Sequence, residues 1–399
     1  MLNNKTVVLA VSGSIAAYKI ANLARMCKKL RADVQVLMTE NAANFINPIT
    51  FESLTGNKCL IDTFDRNFQY SVEHVALAKK ADVVMLAPAS ANVIGKIANG
   101  IADDMLTTTI MACPCKKIIS PAMNHNMYHN PIVLDNIKKL ERFGYEIVSP
   151  DRGMLANGDI GDGRMPDESV LLQYIIKECA FEKDMKNEKV LVTAGATRES
   201  IDPVRFITNH STGKMGYAAA ENAARRGADV TLVTAHAEIE PPMFVNVVKV
   251  TTAEEMFEEV TKRFESSTIV VKAAAVADYR PKSFSDNKIK KSDGEMFIEL
   301  ERTPDILAYL GEHKRDQFLC GFSMETQNVI ENSKKKLLKK NLDMIAANNL
   351  KTKGAGFGTD TNVVTIITKD SVKDLDIMSK QDAAKAIFDE ILKIKRSRN

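Results

Sequence analysis

Short apolar runs alternate with longer amphipathic stretches along the whole chain. In the first half they fall at 6–11, 34–38, 82–87, 118–119 and 146–148, and the segment 15–30 behind the first run has helical spacing. The second half repeats the pattern with runs at 190–194, 229–234, 245–250, 268–273, 318–322, 342–347 and 362–367. Strand-like runs separated by helix-forming sequence predict a parallel sheet covered on both faces. Each half also opens alike, with Val7 to Gly13 and Val190 to Gly195 each passing from a strand into a glycine-bearing turn. The polar, charged stretch from Cys179 to Glu188 reads as a short linker and sets a boundary near residue 186, giving domains 1–186 and 187–399.

The expected fold class is therefore α/β, with two open, mainly parallel, Rossmann-like sheets in tandem. At 399 residues the chain exceeds what one core usually serves, which agrees with two domains. A formal charge of +3, with lysines and arginines spread along the sequence, gives no footprint for nucleic acid. The run Val7 to Val11 is too short for a signal-peptide core, and no stretch approaches the roughly 20 apolar residues of a membrane span, so a cytoplasmic protein without membrane contact is expected. Six cysteines without CxxC spacing indicate neither a disulfide framework nor a zinc site.

Ligands of such sheets sit beyond the carboxyl ends of the strands, so the segments after each run hold the candidate chemistry. Ser12-Gly13-Ser14 through Lys19 offers one glycine, hydroxyls and the amides of a helix start. That suits a single phosphate, and the GxGxxG dinucleotide pattern is absent. Met38-Thr39-Glu40 and Ala87 to Asn92 end two further strands with groups that could hold a ribityl phosphate or a flavin ring edge; helix capping explains either one equally well. Pro121 to Tyr128 follows a strand with amides, sulfurs and a histidine. His125 and His129 stand four apart like a metal-binding face, yet no acidic third ligand accompanies them in the sequence. His74 opens a predicted helix, a place where histidines pack or cap more often than they act as bases.

In the second half, Thr193 to Gly216 is a dense polar run. Its Gly213-Lys214 pair invites a P-loop reading, which fails because Thr208 and Met215 occupy the required glycine and hydroxyl positions. Ser211-Thr212-Gly213 reads instead as a cap whose amides open a helix at Lys214, an anion site. Ala273 to Arg280 ends a strand in small residues that let a flat base approach the backbone, followed by Asp278 for sugar hydroxyls or a metal. Lys288-Ile289-Lys290-Lys291 is a basic loop suited to a triphosphate, although solvation is the commoner meaning of such a run. Lys336 and Lys340, four apart, share a helix face.

In order, SGSIAAYK, MTE, EHVAL, APASAN, PAMNHNM and GDIGDGRMP resemble the flavin-dependent cysteine decarboxylases, specifically the phosphopantothenoylcysteine decarboxylases. TAGATRESIDPVRFITNHSTGKMG, AAAVADYRP, KIKK, TPDIL, GFSMET and KKNLD resemble the phosphopantothenate-cysteine ligases. The whole chain thus resembles the bifunctional coenzyme A biosynthesis family. For the first domain the resemblance implies FMN, held at Gly13, Ser14, Thr39, Ser90 and Asn92, with His74 as catalytic base and Asn124 binding the substrate carboxylate. It also implies oxidation of the substrate thiol to a thioaldehyde whose C=S absorbs the electrons left by departing carbon dioxide. Asn157 stands where many members carry a cysteine that donates the last proton. An amide lacks the acidity of a thiol with a pKa near 8.5, so water or another group must supply that proton.

For the second domain the resemblance implies that 4'-phosphopantothenate and CTP form an acyl-cytidylate, which the amine of cysteine opens, with Mg2+ and lysines sharing the charge on pyrophosphate. Nucleotide contacts carry over to Lys272, Ala273, Ala274, Asp278, Lys288, Pro304, Asp305, Ile306, Leu307, Phe322, Lys336 and Lys340. Asn209 matches the asparagine associated with the acyl-cytidylate, and Arg205 and Ala274 match positions tied to the ligase site. The family also implies a homo-oligomer, with FMN between subunits and ligase domains paired. A two-domain NAD dehydrogenase would share the fold but lacks the fingerprint, and a non-enzymatic flavoprotein would leave Asn209, Asp278 and Lys288 without a role.

Overall fold

The computed structural model describes residues 1–64, 73–155, 158–290, 296–325, 328–349 and 358–398. The chain divides into two compact units, Met1–Glu182 and Lys183–Asn399.

In the first unit, β1 (Thr6–Val11), β2 (Asp33–Met38), β3 (Cys59–Leu60), β4 (Val83–Ala89), β5 (Lys116–Pro121) and β6 (Glu146–Ile147) form one sheet. All pairings are parallel, in the order β3-β2-β1-β4-β5-β6. Every residue of β1 is buried because both faces are covered. Val7, Leu9 and Val11 join the core under the helices Ala17–Lys29 and Glu168–Cys179, while Val8 and Ala10 join the core on the other face with Ala91–Ala98 and Met105–Ala112. Helix Ala17–Lys29 presents Ile20, Leu23, Ala24 and Cys27 as one apolar stripe and ends in Lys28 and Lys29, which suit its negative pole. Outside the sheet, β7 (Asp151–Met154) and β8 (Ile160–Arg164) pair as an antiparallel hairpin.

The second unit holds β9 (Lys189–Ala194), β12 (Asp229–Thr234), β13 (Asn246–Lys249), β14 (Ile269–Lys272), β17 (Phe318–Glu325), β18 (Met344–Asn349), β20 (Val364–Thr368) and β21 (Val372–Asp374) in one sheet, ordered β13-β12-β9-β14-β17-β18-β20-β21. The first six are mutually parallel, β20 pairs antiparallel with β18, and β21 pairs antiparallel with β20. A tight turn at Thr368–Ser371 joins β20 to β21, and so short a connection permits only antiparallel pairing. Three two-stranded ribbons complete it: β10 (Arg198–Ser200) with β11 (Phe206–Thr208), β15 (Tyr279–Pro281) with β16 (Leu300–Arg302), and β19 (Thr361–Asn362) with β22 (Met378–Ser379).

In both sheets the strand order reverses beside the first strand, between β1 and β4 and between β9 and β14, which leaves a crevice at the carboxyl ends. Asp184 and Met185, within the stretch of linker-like composition, are packed into the second unit. Met185 is fully buried, and the Arg226 guanidinium bridges Asp184 and Asp389. The six cysteines are free thiols, five of them buried. Among the described residues no helix is long and apolar enough to cross a membrane.

Candidate functional site

At the end of β1, Ser12 knots the crevice of the first unit. Its Oγ donates to the Pro88 carbonyl at 2.7 Å and accepts the Ser90 N–H at 2.9 Å, so the turns after β1 and β4 are one structure. Gly13 lies against Asn41 of helix Glu40–Ala43, which follows β2. Thr39 and Ser90 cap the helices Glu40–Ala43 and Ala91–Ala98, and Asn92 is exposed on the second of these. A cavity of about 370 Å³ lies elsewhere in the chain; here the cavity measures about 510 Å³ and is lined by Ser14, Ala16, Lys19, Asn124, Met154 and Arg164, among others.

The long helix opening at this cavity has no acidic residue in its first turn and no side-chain cap, and Lys19 is near. Those features fit a phosphate, and the volume falls in the range of small-molecule sites of about 300–1,000 Å³. The fold brings Ser14 and Asn124 together on this cavity. His74 is half-buried in the first turn of helix Glu73–Lys80 and does not line it. Asn157 lies outside the described residues. His125 and His129, which have no acidic third ligand beside them in the sequence, gain one in the fold: the hairpin brings Asp162 against them, with Oδ2 at 2.9 Å from His129 Nε2.

In the second unit, Asn209, Lys272, Ala274, Asp278, Pro304, Asp305, Ile306, Leu307, Phe322, Lys336 and Lys340 all line one cavity of about 410 Å³. Lys340 pairs with Asp305 at 2.6 Å, and Asp305 also caps helix Ile306–His313. Burial works against the Asp305 charge, but the Lys340 contact and the Ala308 N–H outweigh it and hold the carboxyl below its ordinary value. Burial, then the nearby Lys336 and Lys340, lowers the Lys272 ammonium to about 8. Lys272, Lys336 and Lys340 outnumber the carboxylates Asp278 and Asp305 on this cavity, a balance that favours an anion.

Ala273 lines an adjoining pocket of about 150 Å³ with Ser211, Thr212, Gly213 and Lys214. Helix Lys214–Arg225 opens there from Gly213, again with no acidic residue in its first turn. It approaches β9 so closely that a Cβ on Gly216 would lie 2.6 Å from that of Ala194, so only glycine fits. Arg205 and Lys288 line neither pocket. Both belong to a neighbourhood organised by buried Asp202, whose carboxylate accepts the N–H of Val204 and Arg205 at 2.8 Å each and of Ile289 at 3.2 Å.

Two family models match. Residues 1–180 match the flavoprotein family and residues 185–394 the DNA/pantothenate metabolism flavoprotein C-terminal domain. The coenzyme A biosynthesis bifunctional protein CoaBC of Bacillus subtilis (strain 168) is 47% identical over 395 residues, 98% of this chain and 97% of that protein. Its counterpart in Borreliella burgdorferi is 42% identical over 397 residues, 99% of this chain and all of that protein. The chain belongs to the CoaBC family. Among solved structures, the C-terminal domain of a coenzyme A biosynthesis bifunctional protein CoaBC is similar at 43% identity, covering 53% of this chain and 98% of that one with a TM-score of 0.47.

Several residues of this CoaBC-family chain escaped sequence reasoning. Thr193 Oγ1 accepts the Ala274 N–H at 3.2 Å and Thr197 Oγ1 accepts the Ala277 N–H at 3.0 Å, so the TAGAT turn holds the AAAVAD loop in place. Asn348 and Lys380 line the smaller pocket, where the Asn348 side-chain oxygen is buried with no hydrogen-bond partner among the described residues. The available signal was their position after a strand or at a helix start. Such residues are too ordinary in type to be singled out without the contact.

Proposed function

We propose that the second unit joins 4'-phosphopantothenate to cysteine through an acyl-cytidylate made from CTP, and that the first decarboxylates the product to 4'-phosphopantetheine with FMN. We assign these activities to residues 187–399 and 1–186 of a cytoplasmic enzyme. The observation that carries the reading is the convergence of Lys272, Lys336, Lys340, Asp278, Asn209 and the Pro304–Leu307 turn on one cavity. When a carboxylate displaces pyrophosphate, negative charge grows on the departing oxygens, and preorganised ammonium groups stabilise it without reorganising. Mg2+ would share that charge. Asp278 would engage the ribose or the metal, Asn209 the acyl group, and the Ala273–Ala274 backbone the flat base. The basic loop with Lys288, anchored through Asp202, would close on the phosphates.

In the first unit, Gly13, Ser14, Thr39, Ser90 and Asn92 would hold FMN, which supplies a reversible two-electron acceptor beside the substrate sulfur. The Asn124 amide would hold the substrate carboxylate without neutralising it, and His74 would take the thiol proton. Within one chain His74 stands off the cavity that Asn124 lines, while Ile15 and Tyr18 at its rim are 56% and 62% exposed. Both observations support a homo-oligomer in which a second copy completes the site. Incubation of the purified protein with 4'-phosphopantothenate, cysteine, CTP and Mg2+, followed by mass spectrometry, should yield CMP, diphosphate, carbon dioxide and 4'-phosphopantetheine. A colourless protein that releases no diphosphate would overturn the reading.

A further inference from the structure

The His125–His129 pair gains its third group from the fold. Helix His125–Tyr128 ends on His129, whose N–H bonds to the His125 carbonyl at 3.0 Å, and the two imidazole centroids lie 4.4 Å apart. Strand β8 then brings Asp162 alongside. Its carboxylate meets His129 Nε2 at 2.9 Å, and its backbone N–H donates to His125 Nδ1 at 3.2 Å. The approach depends on Gly161, where a Cβ would sit 2.8 Å from the His125 ring. One donor atom from each of the three side chains lies within 4.8 Å of the other two.

We propose that His125, His129 and Asp162 bind one late first-row divalent cation of the Zn2+ type. Two imidazoles and a carboxylate are the borderline donors that zinc prefers, and histidines at i and i+4 on a helical turn present one metal face. Metal–ligand bonds of about 2.0 Å place tetrahedral donors roughly 3.3 Å apart, so His129 and Asp162 need to part by only a few tenths of an ångström. At His125 the ion takes the Nδ1 lone pair that now accepts the amide of Asp162, a contact at the long end of the hydrogen-bond range. The His129 and Asp162 side chains are 44% and 37% exposed, so water fills the fourth position and the ion can enter from solvent.

Both partners adjoin residues that line the neighbouring cavity. Asn124 caps the helix that carries His125, and Gly163 and Arg164 follow Asp162. The ion therefore acts as a clasp between the hairpin and the turn after β5.

The test uses the full-length protein with its flavin, stripped by chelator and titrated with Zn2+ against a chromogenic chelator, beside His129→Gln and Asp162→Asn. The unsubstituted protein should take up one equivalent of zinc more than either variant. Zinc should also slow amide exchange across residues 160–164 in the unsubstituted protein alone. Flavin absorbance equal to that of the parent marks a variant as folded. Equal uptake by all three proteins overturns the proposal. If a variant loses its flavin, exchange in the parent decides, and hairpin rates unchanged by zinc overturn it.

Discussion

Lys272 shows how a single residue can tie a binding site to pH. Its ammonium is lowered to about 8 by burial and by Lys336 and Lys340, whereas an unfolded lysine titrates near 10.4. The folded protein thus holds fewer protons than the unfolded chain between those values. This group's contribution to stability rises with pH across that window, and its penalty is fully present below about 8. An anion in the cavity reverses the balance by favouring the charged lysine. Nucleotide affinity should therefore weaken as pH rises from about 7 to about 9, with a proton taken up on binding at the upper end. Lys272→Met should weaken nucleotide binding by about 1.5–3 kcal/mol near neutrality and flatten the pH profile. Calorimetric titration in buffers of different ionisation heat reads both, and a pH-independent affinity in the parent would remove Lys272 from the pocket. Lysines, prolines and small residues after strands were legible because their chemistry stands out by type. Thr193, Thr197, Asp162 and Asp202 were not, since each acts through a contact with chain far away in sequence or through backbone amides that any residue could offer.

At the scale of elements, the long apolar strands were readable because a strand buried on both faces reads as a near-continuous apolar run, as Val7–Val11 of β1 and all of β4 do. The two-residue strand β3 extends the sheet through a few backbone bonds, which leaves no periodicity to read, whereas β6, equally short, falls within the apolar run at 146–148. The same as for β3 holds for the ribbon strands β11 and β16, whose three residues each alternate against no core. Residues 183–188 show a different limit: their charge matches linker composition, yet Asp184 is there to meet Arg226. Burial opposes the Arg226 charge, but Asp184 and Asp389 outweigh that cost and raise its pKa. Arg226 is 7% exposed and chelates Asp184 through Nε at 2.8 Å and a terminal nitrogen at 2.5 Å. Removing one partner of a buried pair leaves the other charge stranded, so Arg226→Ala should destabilise the second unit by about 3–5 kcal/mol. Denaturant unfolding should show a lower midpoint for that unit with the flavin transition unmoved. A loss below about 1 kcal/mol would mean the pair behaves like a solvent-exposed one.

At the scale of the whole molecule, each unit closes its own pair of cores: one set of clusters draws only on residues up to 181 and the other only on residues from 185 onward. The two chemistries should therefore be separable. His74→Ala should abolish carbon dioxide release while amide formation continues, and equal loss of both would refute separate sites. Separability also makes the exact cut consequential. A fragment spanning 183–399 retains Asp184 beside Arg226 and Met185 in the core, whereas one spanning 187–399 discards both and leaves an arginine buried with only Asp389. Losing a buried methionine costs about 1.5–3 kcal/mol, and stranding half of a buried ion pair adds about 3–5 kcal/mol. The longer fragment should accordingly unfold at a clearly higher denaturant concentration and release diphosphate at the rate of the intact chain, while the shorter one should do so only when kept cool. Equal midpoints for the two fragments would show that residues 183–186 are a tether after all, whatever their contacts.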